Sequence, residues 1–167
     1  MLVAREALNL VDDMVHALSR AGDDAMPEAA IQAQYIAIIA MLRSVGHILE
    51  KVDCGAAPDN QFLNGKWTQW KKEKIFAKFI EPARNDLLKE FKAQFRVRLR
   101  GRRDIHHVIA ADQSARTGAT VAASFDPETL VDMHGHEVMP LFREAIYFWD
   151  ACLKEVEEFQ EARSSTQ

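Results

Sequence analysis

Apolar residues recur at helical spacing along most of the chain, and this pattern predicts a bundle of helices. The clearest stripe steps by four and three residues in turn and comprises Ile31, Tyr35, Ile38, Leu42, Val45, Leu49 and Val52. A stripe of this kind, kept up over three heptads, predicts a long helix that lies along one or more partner helices. Pro27 suits the first turn of this helix, and Cys54-Gly55 is typical of its end.

Further helices are predicted on both sides of this segment. A shorter amphipathic helix precedes it, with one face formed by Ala4, Leu8, Val11, Val15 and Leu18. Residues 53–65 contain Gly, Pro, Asp and Asn and predict a loop. A third helix is then expected to begin near Lys66 or Trp67. It draws its apolar surface from Trp67, Trp70, Ile75, Phe76 and Phe79.

Proline residues mark the joins in the second half of the chain. Pro82 either kinks a single helix or occupies the first turn of a new one, and the sequence is compatible with both. Asp126-Pro127-Glu128 is typical of another helix start. Pro140 interrupts that segment, and the last helix then carries Leu141, Ala145, Phe148, Cys152, Val156 and Phe159 on one face.

The hydrophobic period changes from helical to alternating at Phe95. From there to Arg100 apolar and basic residues alternate strictly, which favours a strand with one Arg face. A turn at 101–104 and a return over Ile105–Ile109 would complete a hairpin, and an extension of the preceding helix is the alternative. We therefore expect one all-α domain over residues 1–167, a bundle of four to five helices. A small β-hairpin or irregular insertion at about 96–122 precedes the last helix, and residues 162–167 form a frayed tail.

The composition excludes several classes of protein. Hydrophobic residues make up 48% of the chain and charged residues 28%, as in soluble globular domains and unlike disordered or collagen-like chains. Polar residues interrupt the longest apolar stretches, so we expect no membrane span. Acidic residues occur early in the sequence, so we expect no signal peptide. Cys54 and Cys152 lie far apart, which favours free thiols in a reducing cytoplasm.

The net charge of −4 conceals a strongly basic segment between Lys66 and Arg103. That segment has thirteen Lys and Arg against four Asp and Glu, a formal charge of +9, and the rest of the chain has −13. Within it, Lys89 and the alternating Arg96, Arg98 and Arg100 are candidate contacts to the phosphates of RNA. The alternative is a basic helix and hairpin whose side chains pair with acidic helices.

Three polar residues of the second helix share one face close to the apolar stripe. Arg43, His47 and Glu50 follow one another at steps of four and three residues. Gly46 beside them costs about 1 kcal/mol relative to Ala in mid-helix, so a neighbouring helix or a ligand is expected to approach closely there. The group is either a candidate site or a polar network that fixes packing.

A second group of polar residues follows Pro82. Arg84-Asn85 lies early in the predicted amphipathic helix, with Lys89 one to two turns later. An Arg followed directly by a polar residue in a small helical bundle resembles the HEPN superfamily. Its ribonuclease members carry a His that is separated from the Arg by four to six intervening residues. The corresponding positions after Arg84 hold Lys89, Glu90 and Phe91, so this part of the motif is not present.

The resemblance implies a homodimer whose facing motifs form one cleft and cleave RNA without a metal ion. Such chemistry needs a cation on the phosphoryl oxygens and a group of near-neutral pKa that moves protons. Arg84 would be the cation, Asn85 a positioning group, and His47 of the neighbouring helix would replace the motif His. Arg43 and Lys89 would add substrate contacts.

Other chemistry is less well supported by the sequence. His106, His107, His134 and His136 could hold a transition metal, but they show no established ligand spacing, and surface histidines are the alternative. Phosphate-binding loops and serine nucleophile elbows are not found, so we expect no cofactor. The sequence therefore predicts an RNA-directed HEPN-like protein, with a non-catalytic helical interaction or scaffold protein as the alternative.

Overall fold

The computed structural model describes residues 1–20, 28–90, 95–97, 130–132 and 135–165. These ranges contain helices α1 (Val3–Arg20), α2 (Glu28–Ile48), α3 (Asp59–Trp70), α4 (Glu81–Glu90) and α5 (Val138–Ser164). A π-helical turn, Leu49–Asp53, extends α2, and another, Phe76–Ile80, leads directly into α4. The predicted all-α bundle with a small insertion before the last helix is confirmed.

Helix α1 packs against α2 and α5 along the face that its sequence predicts. Its buried residues include Ala4, Leu8, Val11, Val15 and Leu18. The carboxylate of Asp53 accepts hydrogen bonds from the backbone N–H groups of Val3 and Ala4, each at 2.8 Å. These donors have no partner within the helix, so the carboxylate satisfies them and joins the start of α1 to the end of α2.

The apolar stripe of α2 is buried from Ile31 to Leu49, but Val52 is 60% exposed. The inclusion of Val52 in the stripe was therefore wrong. The physical reason is the π-helical turn, which holds more residues than an α-helical turn and so moves later residues off the stripe. Asp53 thereby reaches the start of α1.

The segment Ala29–Asp53 is long and apolar enough, by length and composition, to cross a membrane. Our expectation that polar residues exclude such a stretch was thus wrong. Core helices of soluble proteins pass the same test, and here the stripe of α2 lies in the hydrophobic core.

Helix α3 begins earlier than predicted, at Asp59 rather than near Lys66. Residues that favour loops also favour helix starts: Asp59 places a negative charge in the first turn, where the helix dipole stabilises it. Leu63, Trp67 and Trp70 stand at steps of four and three, which is the signal that identifies this helix. Pro82 lies in the first turn of α4, directly after the π-helical turn, and the backbone stays helical through this join.

Helix α5 also begins before the predicted position, so that Pro140 falls in its first turn, where a missing N–H costs little. The helix extends to Ser164, so residues 162–164 of the predicted frayed tail have helical backbone. Its buried face is centred on Phe142, Ala145, Trp149, Cys152 and Val156. The predicted face includes Phe148 and omits Trp149, but Phe148 is half-buried and Trp149 is fully buried.

Two short strands, β1 (Phe95–Val97) and β2 (Leu130–Asp132), pair antiparallel, with Phe95 opposite Asp132 and Val97 opposite Leu130. The predicted strand is thus confirmed over 95–97. Its described partner precedes α5, whereas the predicted return over Ile105–Ile109 lies outside the described residues. Pro27 and the helix start predicted at Asp126 also lie outside them.

Candidate functional site

Several cations of the bundle are held by carboxylates. Arg5 of α1 donates to Glu157 of α5, with Nη2 2.8 Å from Oε2, and also pairs with Asp150. Lys154 bonds to Asp150 at 2.8 Å from the next turn of α5. We call Arg5, Asp150, Lys154 and Glu157 the α1–α5 clasp. Other cations paired with carboxylates are Lys51 with Glu50, Lys66 with Glu155, and Arg163 with Asp59.

The lysines between α3 and α4 differ from these cations. We call residues 71–80 the lysine connector. Its four exposed lysines are Lys71, Lys72, Lys74 and Lys78. No side-chain ammonium group of these four lysines makes a hydrogen bond or an ion pair with another residue that the structure describes. Their charges are therefore available to a ligand.

The fold fixes this exposure through the opposite face of the same segment. Ile75, Phe76, Phe79 and Ile80 are buried in the core between the lysines. Backbone bonds from Lys71 and Lys72 to the last turn of α3 hold the beginning of the connector, at 3.0 Å each. Because the apolar residues anchor the backbone, the lysines are held at a fixed edge of the bundle.

Cations also lie over aromatic rings of the bundle. The Lys71 ammonium is 5.4 Å from the centre of the Trp67 ring. The Arg43 guanidinium is 6.0 Å from the Phe76 ring, and the Lys66 ammonium is 5.7 Å from the Phe62 ring. Such contacts contribute about 0.5–1 kcal/mol at exposed positions. Arg43, a predicted substrate contact, is thus placed next to the lysine connector.

Gly46 is explained by close packing of two tryptophan rings. A Cβ atom at this position would lie 2.5 Å from Trp149 and 2.7 Å from Trp67. The predicted close approach at Gly46 is therefore confirmed, and its cause is ring packing from α3 and α5. Trp67 and Trp149 stack there with ring centres 6.1 Å apart and an interplanar angle of 30°.

His47 follows Gly46 and is exposed at the end of α2 that faces the connector. Nearby, Lys51 donates a hydrogen bond of 2.8 Å to Glu50 and lowers the pKa of that carboxyl. The charges of His47 and Lys71 also lower this pKa. The predicted group of Arg43, His47 and Glu50 thus lies close to the connector.

Arg84 and Asn85 are joined to each other by a hydrogen bond of 3.1 Å from the guanidinium to the amide oxygen, and both are half-buried. Asp86 beside them acts electrostatically on Tyr35, which lies twelve residues before His47 in α2. The twelve residues between Tyr35 and His47 span about 18 Å along the axis of α2, so Asp86 acts on a part of α2 that is distant from His47. In the described part of the chain no hydrogen bond or ion pair joins His47 to Arg84. The structure thus brings together only Arg84 and Asn85 of the predicted catalytic group.

Several of the other predicted site residues lie outside the residues that the structure describes. Lys89 belongs to α4 and Arg96 to β1, in both cases without described side-chain positions. Arg98 and Arg100 lie outside the described residues, as do His106, His107 and His134. The imidazole Nδ1 of His136 is 3.0 Å from the Asp132 carboxylate, which orients the ring. The described ranges contain no group of three or more metal-ligating side chains.

The two cysteines are unsuited to nucleophilic chemistry. Both are free thiols buried in the core. Burial, together with the negative charges of Asp59 and Asp53, raises the pKa of Cys54 to about 11. Burial likewise raises the pKa of Cys152. Because the thiolate is the reactive form, neither residue is a candidate nucleophile.

The site that sequence reasoning missed is the combination of Trp67 with the exposed lysines. The sequence places Trp67 and Trp70 together on the apolar surface of the third helix, and Trp70 is indeed buried, at 4% exposure. Trp67 is only half-buried and lies beneath Lys71. The available signal was a tryptophan four residues before the first lysine, which places both on one helix face.

Comparison with models of protein families gives no match to the chain, and neither curated proteins nor solved structures provide one. The resemblance to the HEPN superfamily therefore stays a prediction. It rests on Arg84-Asn85 and the helical layout. The functional argument below uses only the geometry of the described residues.

Proposed function

We propose that this protein binds RNA through the lysine connector. The observation that carries the proposal is the set of exposed lysines, Lys72, Lys74 and Lys78, without a carboxylate partner among the described residues. Binding a nucleic acid releases its condensed counterions, so each lysine that neutralises a phosphate adds to the affinity.

The charge around the connector supports this proposal. Residues 71–84 contain five Lys and Arg against Glu73 and Glu81. Both glutamates are exposed, and neither makes an ion pair with a described residue. An excess of positive charge therefore remains at this edge of the bundle. An anchored backbone also lowers the entropy lost when the lysines bind a ligand.

A matched pair of variants tests the proposal. In the connector variant, Lys72→Gln, Lys74→Gln and Lys78→Gln remove three exposed charges. In the paired-cation variant, Lys66→Gln, Lys154→Gln and Arg163→Gln remove three charges that lie on carboxylates. Anisotropy of a labelled 20-nucleotide RNA near 0.1 M salt should show about a ten- to hundred-fold loss of affinity for the connector variant alone.

A second ligand separates RNA from other polyanionic surfaces. Vesicles that contain anionic phosphatidylserine are added to the wild type and to both variants. Binding of RNA without binding of vesicles supports the proposal. Binding of vesicles alone, or an equal loss of RNA affinity in both variants, would overturn it.

Cleavage is a further proposal, which rests on the HEPN resemblance together with a homodimer. Arg84 and Asn85 lie side by side as that proposal needs, whereas His47 has no described bond to them. Purified protein incubated with mixed RNA in EDTA tests it. Cleavage that disappears in Arg84→Ala supports the catalytic assignment, and cleavage that survives this substitution refutes it. Light scattering of the wild type measures the mass of the assembly.

The second candidate function is that of a non-catalytic helical interaction or scaffold protein. The half-buried hydrogen bond between Arg84 and Asn85 favours it, because paired polar groups of this kind fix packing. This function predicts no RNA binding by the wild type. It also predicts that Arg84→Ala lowers the free energy of unfolding by about 1 kcal/mol, measured in urea.

A further inference from the structure

Trp67 differs from the other two tryptophans of the chain in its exposure. Trp149 is fully buried and Trp70 is 4% exposed, whereas Trp67 is half-buried. It lies one turn before Lys71, at the point where α3 ends and the lysine connector begins. The exposed part of an aromatic ring is thus located directly beside the lysines without ion pairs.

The core fixes the orientation of this ring. Trp67 stacks on Trp149 and makes edge contacts with Trp70 and Phe76, with ring centres 6.1–6.2 Å apart. Its tip lies against Gly46 of α2. A ring held by three aromatic neighbours and a glycine cannot rotate freely, so it offers a rigid platform.

The contact above this platform is easily exchanged. The Lys71 ammonium lies 5.4 Å from the ring centre, and Lys71 is exposed. A base stacked on an aromatic ring is bound more strongly than a solvent-exposed ammonium over the same ring. A base can therefore replace the Lys71 side chain on Trp67, and the displaced ammonium remains close enough to bind a neighbouring phosphate.

We infer that Trp67 and Lys71 form a base-stacking site, so that the protein binds single-stranded RNA in preference to duplex RNA. The inference rests on the proposed function and names its substrate class. A single strand can place an unpaired base on the ring, whereas a duplex keeps its bases stacked within itself. Lysines alone would favour the duplex, because it has the higher charge density. A preference for single strands therefore reports stacking rather than charge.

The test compares one unstructured 16-nucleotide RNA as a single strand and as a duplex with its complement, at the same salt concentration. The wild type should bind the single strand about ten-fold more tightly. Trp67→Leu should remove this preference and leave the duplex affinity unchanged, and Trp67→Phe should retain part of it. Phe159→Leu, which alters an aromatic pair with Phe62 that does not include Trp67, is the matched control and should retain the full preference.

Each outcome bears on the inference. Equal affinity of the wild type for both RNAs, or an equal loss for both in Trp67→Leu, would overturn it. This wild-type comparison decides the question even if Trp67→Leu does not fold. The connector variant, tested in parallel, should lose affinity for single strand and duplex alike. If it does while the wild type shows no strand preference, the proposed function stands and only the stacking site is wrong. If no RNA binds at all, both are wrong.

Discussion

The α1–α5 clasp and the lysine connector use positive charge in opposite ways. In the clasp, Arg5 lies between two carboxylates of α5, and its side chain is 15% exposed. In the connector, Lys72, Lys74 and Lys78 are exposed and have no described carboxylate partner. Both regions lie on the same bundle, so the difference reflects the neighbours of each cation.

The comparison shows that the pairing of cations, more than their number, indicates which of them are available to a ligand. Half-buried ion pairs in the clasp join two helices, and removing one partner leaves charges without compensation. Exposed lysines contribute little to the stability of the fold. The cations of the connector are therefore the ones that a ligand can bind without breaking the structure.

The largest expected effect concerns the ring packing beneath the connector. Gly46→Ala should lower the free energy of unfolding by about 2 kcal/mol, because overpacking of about 3 kcal/mol exceeds the gain of about 1 kcal/mol in helix propensity. Urea denaturation measures the change. Gly65→Ala in α3 is the control, since a Cβ there meets nothing within 4 Å, and it should raise stability. If both substitutions stabilise the protein, the tryptophan packing against Gly46 is not as described.

The next effect concerns the clasp itself. Arg5→Met should lower the free energy of unfolding by about 1–2 kcal/mol, because Asp150 and Glu157 lose a shared partner that is largely buried. Lys154→Met removes a 63%-exposed partner of Asp150 and should cost less than about 1 kcal/mol. Equal losses in the two variants, measured in urea, would contradict the distinction between clasp and surface pairs.

A smaller effect is the pH dependence of the clasp. Hydrogen bonds from Lys154 and then Arg5 lower the pKa of Asp150 below its ordinary value of 3.8. A carboxyl whose pKa is lower in the folded state stabilises the protein above its unfolded pKa, and this contribution is lost as the pH falls through the folded pKa. The stability difference between wild type and Arg5→Met, compared by urea denaturation at pH 6 and pH 3, should therefore shrink at pH 3. A difference that grows at low pH would contradict this sign.

Much of the fold follows from periodicity, and the errors occur where the helix geometry changes. The buried faces of α1 and α2 could be predicted because their apolar steps match an α-helix. The exposure of Val52 could not be predicted in this way, because the π-helical turn shifts the helical register after Leu49. The start of α3 was missed because Asp59 suits a helix start as well as a loop.

The candidate site was less accessible from the sequence than the fold. Sequence reasoning found the basic segment, and it expected a close approach at Gly46. It could not show which lysines are paired, since Lys66 and Lys72 look alike until Glu155 of α5 is located next to Lys66. It joined His47 to Arg84 because RNA cleavage needs a group of near-neutral pKa and the motif His is missing. The structure instead places His47 toward Lys71 and Glu50.

The central claim is that the unpaired lysines of the connector bind RNA phosphates, and the salt dependence of RNA affinity tests it most directly. The logarithm of the affinity falls linearly with the logarithm of the salt concentration, with a slope of about −0.7 per neutralised phosphate of a single strand. The connector variant should therefore have a slope about 2 smaller in magnitude than the wild type, while the slope of the paired-cation variant stays unchanged. An unchanged slope in the connector variant, or the same reduction in both variants, would contradict the account.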